Sequence, residues 1–240
     1  MSAVEHPRAA EVRVEPLRVS GQVHYAGRDF DVVNYSYLVI HRATGQALIV
    51  DPAWELDTIE GALRSADATL EGVLLTHSHF DHVNLVAPLV ARHGADVWMS
   101  REELQFYRFS CPNLRAIDSE EPFTVAGMHV TPVLTPGHSR GSTCFFVGDN
   151  LFCGDTLFTE GCGACIGEGA NPLEMFQSLQ RLKARCGPGV RVFPGHSFGE
   201  PVGKTFELVR QNNIYLQLES YEPFHSLRMR SHQPRILDFK

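Results

Sequence analysis

Three histidines and an aspartate fall within six positions in the run Leu74-Leu75-Thr76-His77-Ser78-His79-Phe80-Asp81-His82. Neutral imidazoles and a carboxylate gathered in one loop are nitrogen and oxygen donors for a borderline divalent metal. At a strand end, side chains two residues apart point the same way, so His77 and His79 can reach one ion. Asp81 and His82 come about a turn further on, where a helix begins, and can serve a second ion. Three more donors repeat one arrangement, in which a strand runs into a small residue and then a metal-capable side chain. His138 follows Val133-Leu134-Thr135-Pro136-Gly137, Asp155 follows Leu151-Phe152-Cys153-Gly154, and His196 follows Val192-Phe193-Pro194-Gly195. Taken singly, each reads as a loop histidine or a turn aspartate. Together with the His-rich loop they read as ligands.

The elements that must position these groups follow from the pattern. Residues 1–20 form a lead-in with an edge strand around Val12 to Val19. Asn34 to His41 and Ala47 to Val50, joined by Thr44-Gly45, predict a β-hairpin. A helical period starts at Leu56, a buried strand at Val73 to Leu75, and a second helix runs to Gly94. Asp96 to Met99 predicts a strand and Glu102 to Phe109 a short helix. Two further hairpins span Phe123 to Leu134 and Thr143 to Cys153. Asn171-Pro172-Leu173-Glu174 is a helix start, with Asn at the cap, Pro in the first turn and a carboxylate three residues on. Val190 to Phe193 predicts a strand, Lys204 to Leu218 a helix, and the last twenty residues irregular chain. Hairpins mixed with βα units, and no linker, predict a single α/β domain with a mixed sheet system. Residues 21–200 are expected to carry the catalytic domain, with 201–240 a C-terminal helix and tail packed on it.

Composition closes off several classes. The 240 residues carry 21 basic and 28 acidic side chains, a net charge of −7. That balance weighs against nucleic acid or anionic lipid as partner. No apolar run approaches the roughly 20 residues of a membrane span, and the first fifteen residues lack the apolar core of a signal peptide, so the expected location is cytoplasmic. Six cysteines suit a reduced compartment better than a disulfide framework.

The set His77, His79, Asp81, His82, His138, Asp155 and His196, in this order, resembles the metallo-β-lactamase fold superfamily and its glyoxalase-II-like hydrolases. The resemblance covers about Tyr35 to His196. It implies an αββα sandwich with a two-metal site at one edge. His77, His79 and His138 would hold the first metal, and Asp81, His82 and His196 the second. Asp155 would bridge both, with Asp81 and Asp155 as the catalytic carboxylates. Two divalent ions suit hydrolysis, because they activate water near neutral pH and polarise a carbonyl. Two zinc ions suffice, and iron or manganese would also fit.

Departures from the family's branches narrow the substrate. The main clinical lactamases lack a bridging aspartate, which is present here as Asp155. Quorum-signal lactonases carry a tyrosine where this chain has Phe158. Persulfide dioxygenases, an iron-dependent alternative, differ after the bridging Asp, where this chain reads Glu160-Gly161-Cys162-Gly163-Ala164. Glyoxalase II is a further alternative, but it places a basic residue at Ala164 to hold glutathione, and its helical glutathione-binding domain has little room in the 44 residues after His196.

A narrower resemblance rests on Asp51-Pro52-Ala53-Trp54-Glu55-Leu56, Thr76 to Leu85, Gly154 to Cys165 with Gly167-Glu168-Gly169, Pro194 to Gly199, and Asn213-Ile214-Tyr215. It points to the bacillaene-pathway thioesterases that accompany trans-acyltransferase polyketide synthases. That resemblance implies hydrolysis of acyl groups from the phosphopantetheine arm of an acyl carrier protein. A carrier-protein binding module with a vestigial site is the non-enzymatic alternative. Substrate contacts are then expected from Phe80 inside the metal loop, from Phe158 and Cys162 after the bridging Asp, and from Arg228 and Arg230. These two arginines belong to a tail with six basic and four acidic residues, suited to a phosphate or an acidic carrier.

Overall fold

A computed structural model describes residues 11–25, 27–198 and 200–230. In chain order its elements are β1 (Val12–Tyr25), β2 (Arg28–His41), β3 (Gln46–Val50), α1 (Leu56–Ser65), β4 (Thr69–Leu74), α2 (Phe80–Val83), α3 (Val86–His93), β5 (Asp96–Ser100), α4 (Arg101–Tyr107) and β6 (Leu114–Ile117). There follow β7 (Phe123–Val125), β8 (Met128–Leu134), β9 (Thr143–Val147), β10 (Asn150–Gly154), α5 (Pro172–Arg185), β11 (Arg191–Pro194), β12 (Lys204–Thr205), α6 (Phe206–Asn212), α7 (Ile214–Gln217) and α8 (Tyr221–Arg228). Strands β1 to β6 pair in sequence order into one sheet, and the second sheet runs β12-β11-β10-β9-β8-β7.

Side-chain alternation explains why the two sheets stack and why each carries helices outside. On β2, Tyr37 and Val39 point into the inter-sheet core, where they meet Phe145, Val147, Phe152 and Phe193 of the second sheet. Their neighbours Leu38 and Ile40 point the other way, against Ile59 and Leu63 of α1 and Leu89 and Val90 of α3. On β9 and β10, Cys144, Phe146, Leu151 and Cys153 face Met175, Leu179 and Leu182 of α5 and Phe224 of α8. A period of two on strands buried on both faces thus builds four layers, helix, sheet, sheet, helix. Tyr37 ties the sheets together, with its ring against Phe152 and Phe193 and its hydroxyl donating to the Pro194 carbonyl just before His196.

Most predicted elements stand where the pattern placed them, and the Asn171 carboxamide caps α5 through the amides of Leu173 and Glu174. The exceptions have physical causes. β1 continues to Tyr25 and pairs with β2 over fourteen residues, so what read as a lead-in is an integral edge strand from Val12 onward; residues 1–10 lie outside the described residues. The helix expected over Lys204 to Leu218 opens as the short strand β12 and breaks at Asn213. There the side chain accepts from the Tyr215 amide and donates to the carbonyls of Phe158 and Gly161. The segment expected to be irregular holds α8, fixed by the burial of Phe224. β6 is a strand that the pattern missed, since only its ends, Leu114 and Ile117, are large and apolar around an arginine and an alanine. Among the described residues, no helix is long and apolar enough to cross a membrane.

Candidate metal centre

Four strand ends deliver the seven donors to one edge of the sandwich. β4 runs into His77 and His79, and the next turn, α2, presents Asp81 and His82. The ends of β8, β10 and β11 lead to His138, Asp155 and His196. Backbone bonds lock these loops to one another. The Thr143 amide donates to the Thr76 carbonyl (2.9 Å), the Tyr35 amide to the Gly195 carbonyl (2.8 Å), and the Gly195 amide to the Gly154 carbonyl (2.9 Å). Gly195 has no room for a side chain, because a Cβ there would stand 2.6 Å from both Asp155 Oδ1 and His82 Cε1.

Three sets of three donors have their ligand atoms within 4.8 Å of one another: His77 with His79 and His138, Asp81 with His82 and His196, and, between these two, Asp51 with His77 and His82. Asp155 touches the first two groups. Its carboxylate lies 3.5 Å from His138 Nε2 on one side and 3.5 Å from His82 Nε2 and His196 Nε2 on the other. Outer contacts set the tautomers. His138 Nδ1 lies 2.8 Å from the Ala164 carbonyl and His196 Nδ1 2.7 Å from the Val33 carbonyl, so each donates there and turns Nε2 inward. His82 Nδ1 faces Asp51 (3.0 Å), whose carboxylate also accepts from the Thr76 amide and hydroxyl. Asn34 donates to Asp81 (3.1 Å) and accepts from the Trp54 indole (2.8 Å). His77 Nε2 and Asp155 Oδ1 are buried yet have no hydrogen-bond partner, which is what a ligand atom awaiting a cation looks like. The donor set, all nitrogen and carboxylate oxygen, fits divalent zinc, iron or manganese.

Electrostatics divide the two groups. Burial pulls His77 well below its ordinary value, helped by the other imidazoles, and pulls His138 down to about 4. Burial lowers His79 too, against the pull of Asp155 and Asp81. In the second group burial is outweighed. Asp81, Asp155 and Asp51 raise His82 to about 9, and Asp155 and Asp81 raise His196 well above its ordinary value. Burial would raise Asp81 and Asp155, but the facing imidazoles hold both carboxyls well below the usual range.

Of the expected substrate contacts, Phe80 is exposed and the others are buried or partly buried. Phe80 is 63% exposed beside the metal loop, edge-on to Trp54. Phe158 is fully buried behind the site, edge-on to His196 and Phe198, so it supports His196 and offers no surface to a substrate. Cys162 is also fully buried, and burial pushes its thiol up to about 12, so it is a core residue. Arg228 is buried as well. It donates to the Cys162 carbonyl and stacks over the Tyr215 ring, anchoring α8 to the loop after Asp155. Arg230 is partly buried against Tyr215 and the Leu227 carbonyl. Lys204 and Arg210 pair with Glu200 and Glu207, while Arg235 and Lys240 lie outside the described residues. The tail's described bases therefore serve local structure. Sequence reasoning assigned no role to Asn34, Asp51 or Glu103. Asp51 carried the available signal, as a lone carboxylate directly after a buried strand.

Four-layer architecture and a His/Asp centre at the sheet edge define the metallo-beta-lactamase superfamily. The model of that family matches residues 29–196, and the chain belongs to it. Comparison with known proteins adds finer likenesses. Over 207 residues the chain is 46% identical to "Probable polyketide biosynthesis zinc-dependent hydrolase BaeB" of Bacillus velezensis, covering 86% of this chain and 92% of the relative. Over the same length and coverage it is 44% identical to "Probable polyketide biosynthesis zinc-dependent hydrolase PksB" of Bacillus subtilis. Among solved structures it is similar to ETHE1 from Myxococcus xanthus, with a TM-score of 0.75 and 26% identity over 90% of this chain and 92% of that one.

Proposed function

We propose that this chain is a dinuclear zinc hydrolase that cleaves acyl thioesters, with the acyl group carried on the phosphopantetheine arm of an acyl carrier protein. The observation that carries the reading is the Asp155 carboxylate, set between the His77/His79/His138 group and the Asp81/His82/His196 group within 3.5 Å of both. The two Bacillus relatives, both named as zinc-dependent hydrolases of polyketide biosynthesis, support the metal and the pathway.

His77, His79 and His138 would hold one ion, Asp81, His82 and His196 the other, and Asp155 would join both. Bound there, such ions supply a water of pKa near neutrality and a Lewis acid for the carbonyl. The chain's residues do the rest. Asn34, itself held by Trp54, orients Asp81. Asp51 fixes the ring of His82. Phe80 offers an exposed apolar face beside His79 for the acyl or pantetheine chain. Water adds to the carbonyl carbon, the carbon–sulfur bond breaks, and acid and thiol are released. A thiol has a pKa of roughly 8.5, so the thiolate leaves without a protein general acid.

The test compares acetyl-loaded acyl carrier protein with S-lactoylglutathione on protein of measured metal content. Preference for the carrier substrate, with two zinc ions per chain, supports the reading. Preference for the glutathione ester replaces it by a glyoxalase II activity.

Metal uptake itself has an expected signature. Burial holds the imidazoles of the three-histidine group below their ordinary value, which favours the neutral ligand form, whereas the facing carboxylates hold those of His82 and His196 above it, which favours a proton that ligation must displace. Calorimetric zinc titration at pH 7, in buffers of different ionisation heat, is expected to show more proton release for one ion than for the other. The affinity of the ion that releases more should weaken by about tenfold per pH unit for each proton displaced as the pH falls. Equal proton release by both ions would contradict this account.

A further inference from the structure

Glu103 lies in the first turn of α4, is fully buried, and is not among the seven donors. Its carboxylate accepts four hydrogen bonds. Oε1 takes the Ser78 amide (2.8 Å) and hydroxyl (2.7 Å), and Oε2 takes the Ser139 hydroxyl (2.8 Å) and the Gly141 amide (2.8 Å). Ser78 stands between His77 and His79, and Ser139 follows His138. One carboxylate thus spans the two loops that supply the three-histidine group.

The surroundings are built for this contact. The Ser100 hydroxyl accepts from the Glu103 amide (3.1 Å) and donates to the Gly141 carbonyl (2.6 Å), so the turn bearing Glu103 is fixed to the His138 loop. Gly141 must remain bare, because a Cβ there would fall 2.2 Å from the Glu103 nitrogen and 2.4 Å from Ser100 Oγ. An apolar side chain would fill the position of Glu103 without needing four donors, and a buried carboxylate is tolerated only when it is satisfied. The geometry that this arrangement holds is the approach of His79 Nδ1 to His138 Nε2, 3.0 Å apart.

We infer that Glu103 is a positioning residue. By stapling Ser78 to Ser139 and Gly141, it sets the spacing of His77 and His79 from His138. It thereby sets the metal affinity of that group and leaves the Asp81/His82/His196 group unaffected. This rests on the two-metal reading above.

The test is titration of the metal-free full chain with Zn2+ against a chromophoric chelator, with circular dichroism and melting temperature recorded on the same samples. Glu103→Gln keeps the shape but replaces one acceptor oxygen by an NH2 group, which cannot accept from a backbone amide. It is expected to weaken one of the two ions by roughly 10- to 100-fold, the usual effect of losing an outer partner of a ligand, and to leave the other unchanged. Ser78→Ala and Ser139→Ala each remove a single hydroxyl donor. They should weaken the same ion by less, and they carry the test if Glu103→Gln does not fold. In a His138→Ala background, Glu103→Gln should have no further effect on the remaining ion. Lowered melting temperatures with both affinities unchanged, or equal weakening of both ions, would overturn the inference alone. A wild-type chain that takes up no Zn2+ would overturn the metal reading and this inference with it.

Discussion

Asp155→Ala is expected to lower kcat/KM for thioester hydrolysis by about three orders of magnitude or more, since an ion that stabilises developing charge is worth several kcal/mol. Asp155 lies against His138 on one side and against His82 and His196 on the other. Removing its carboxylate takes a shared donor from both groups. It also removes one counter-charge from His82, which keeps Asp81 and Asp51, and one from His196, which keeps Asp81. Asp155→Asn, which keeps the shape and discards the charge, should fall nearly as far. Steady-state hydrolysis, together with metal content and circular dichroism, separates loss of the centre from loss of the fold. A folded Asp155→Ala protein that keeps both ions and more than a tenth of the wild-type rate would refute the bridging role.

Zinc should raise the melting temperature of the metal-free protein by about 8–16 °C for each occupied site at a free concentration near 1,000 Kd, because that excess stabilises the native state by about 4 kcal/mol per site and a chain of this size shifts by about 2–4 °C per kcal/mol. The increment should grow with pH. In the metal-free protein the raised His82 contributes stability that is fully present below its unfolded pKa of roughly 6.5 and is lost as the pH rises through about 9. Zinc needs the deprotonated ring, so it competes with the proton below that window and replaces a fading contribution within it. Differential scanning fluorimetry from pH 6 to pH 9, with and without zinc, reads the effect directly. An increment that shrinks as the pH rises would show that His82 is not a ligand.

Local features were legible in the order of the residues. The spacing His77-x-His79-x-Asp81-His82, and the recurrence of a strand, a glycine and then a donor at Asp155 and His196, marked the donors that the fold gathers at one edge, because residue type and order survive in one dimension. The Asn171-Pro172 cap of α5 likewise follows from cap chemistry written into neighbouring residues. Tertiary structure decided whatever depends on groups distant in the chain. Glu103 reads as an ordinary acidic residue in a first helical turn, until the fold brings Ser78 and Ser139 to its two oxygens. Arg228 reads as a substrate-binding base of the tail, until the fold buries it with its guanidinium on the Cys162 carbonyl. The division of the centre into a neutral half and a protonated half also waits on the fold. Neighbours decide whether an imidazole keeps its proton. Burial among other histidines strips His77 and His138, while the carboxylates of Asp51, Asp81 and Asp155 hold the proton on His82.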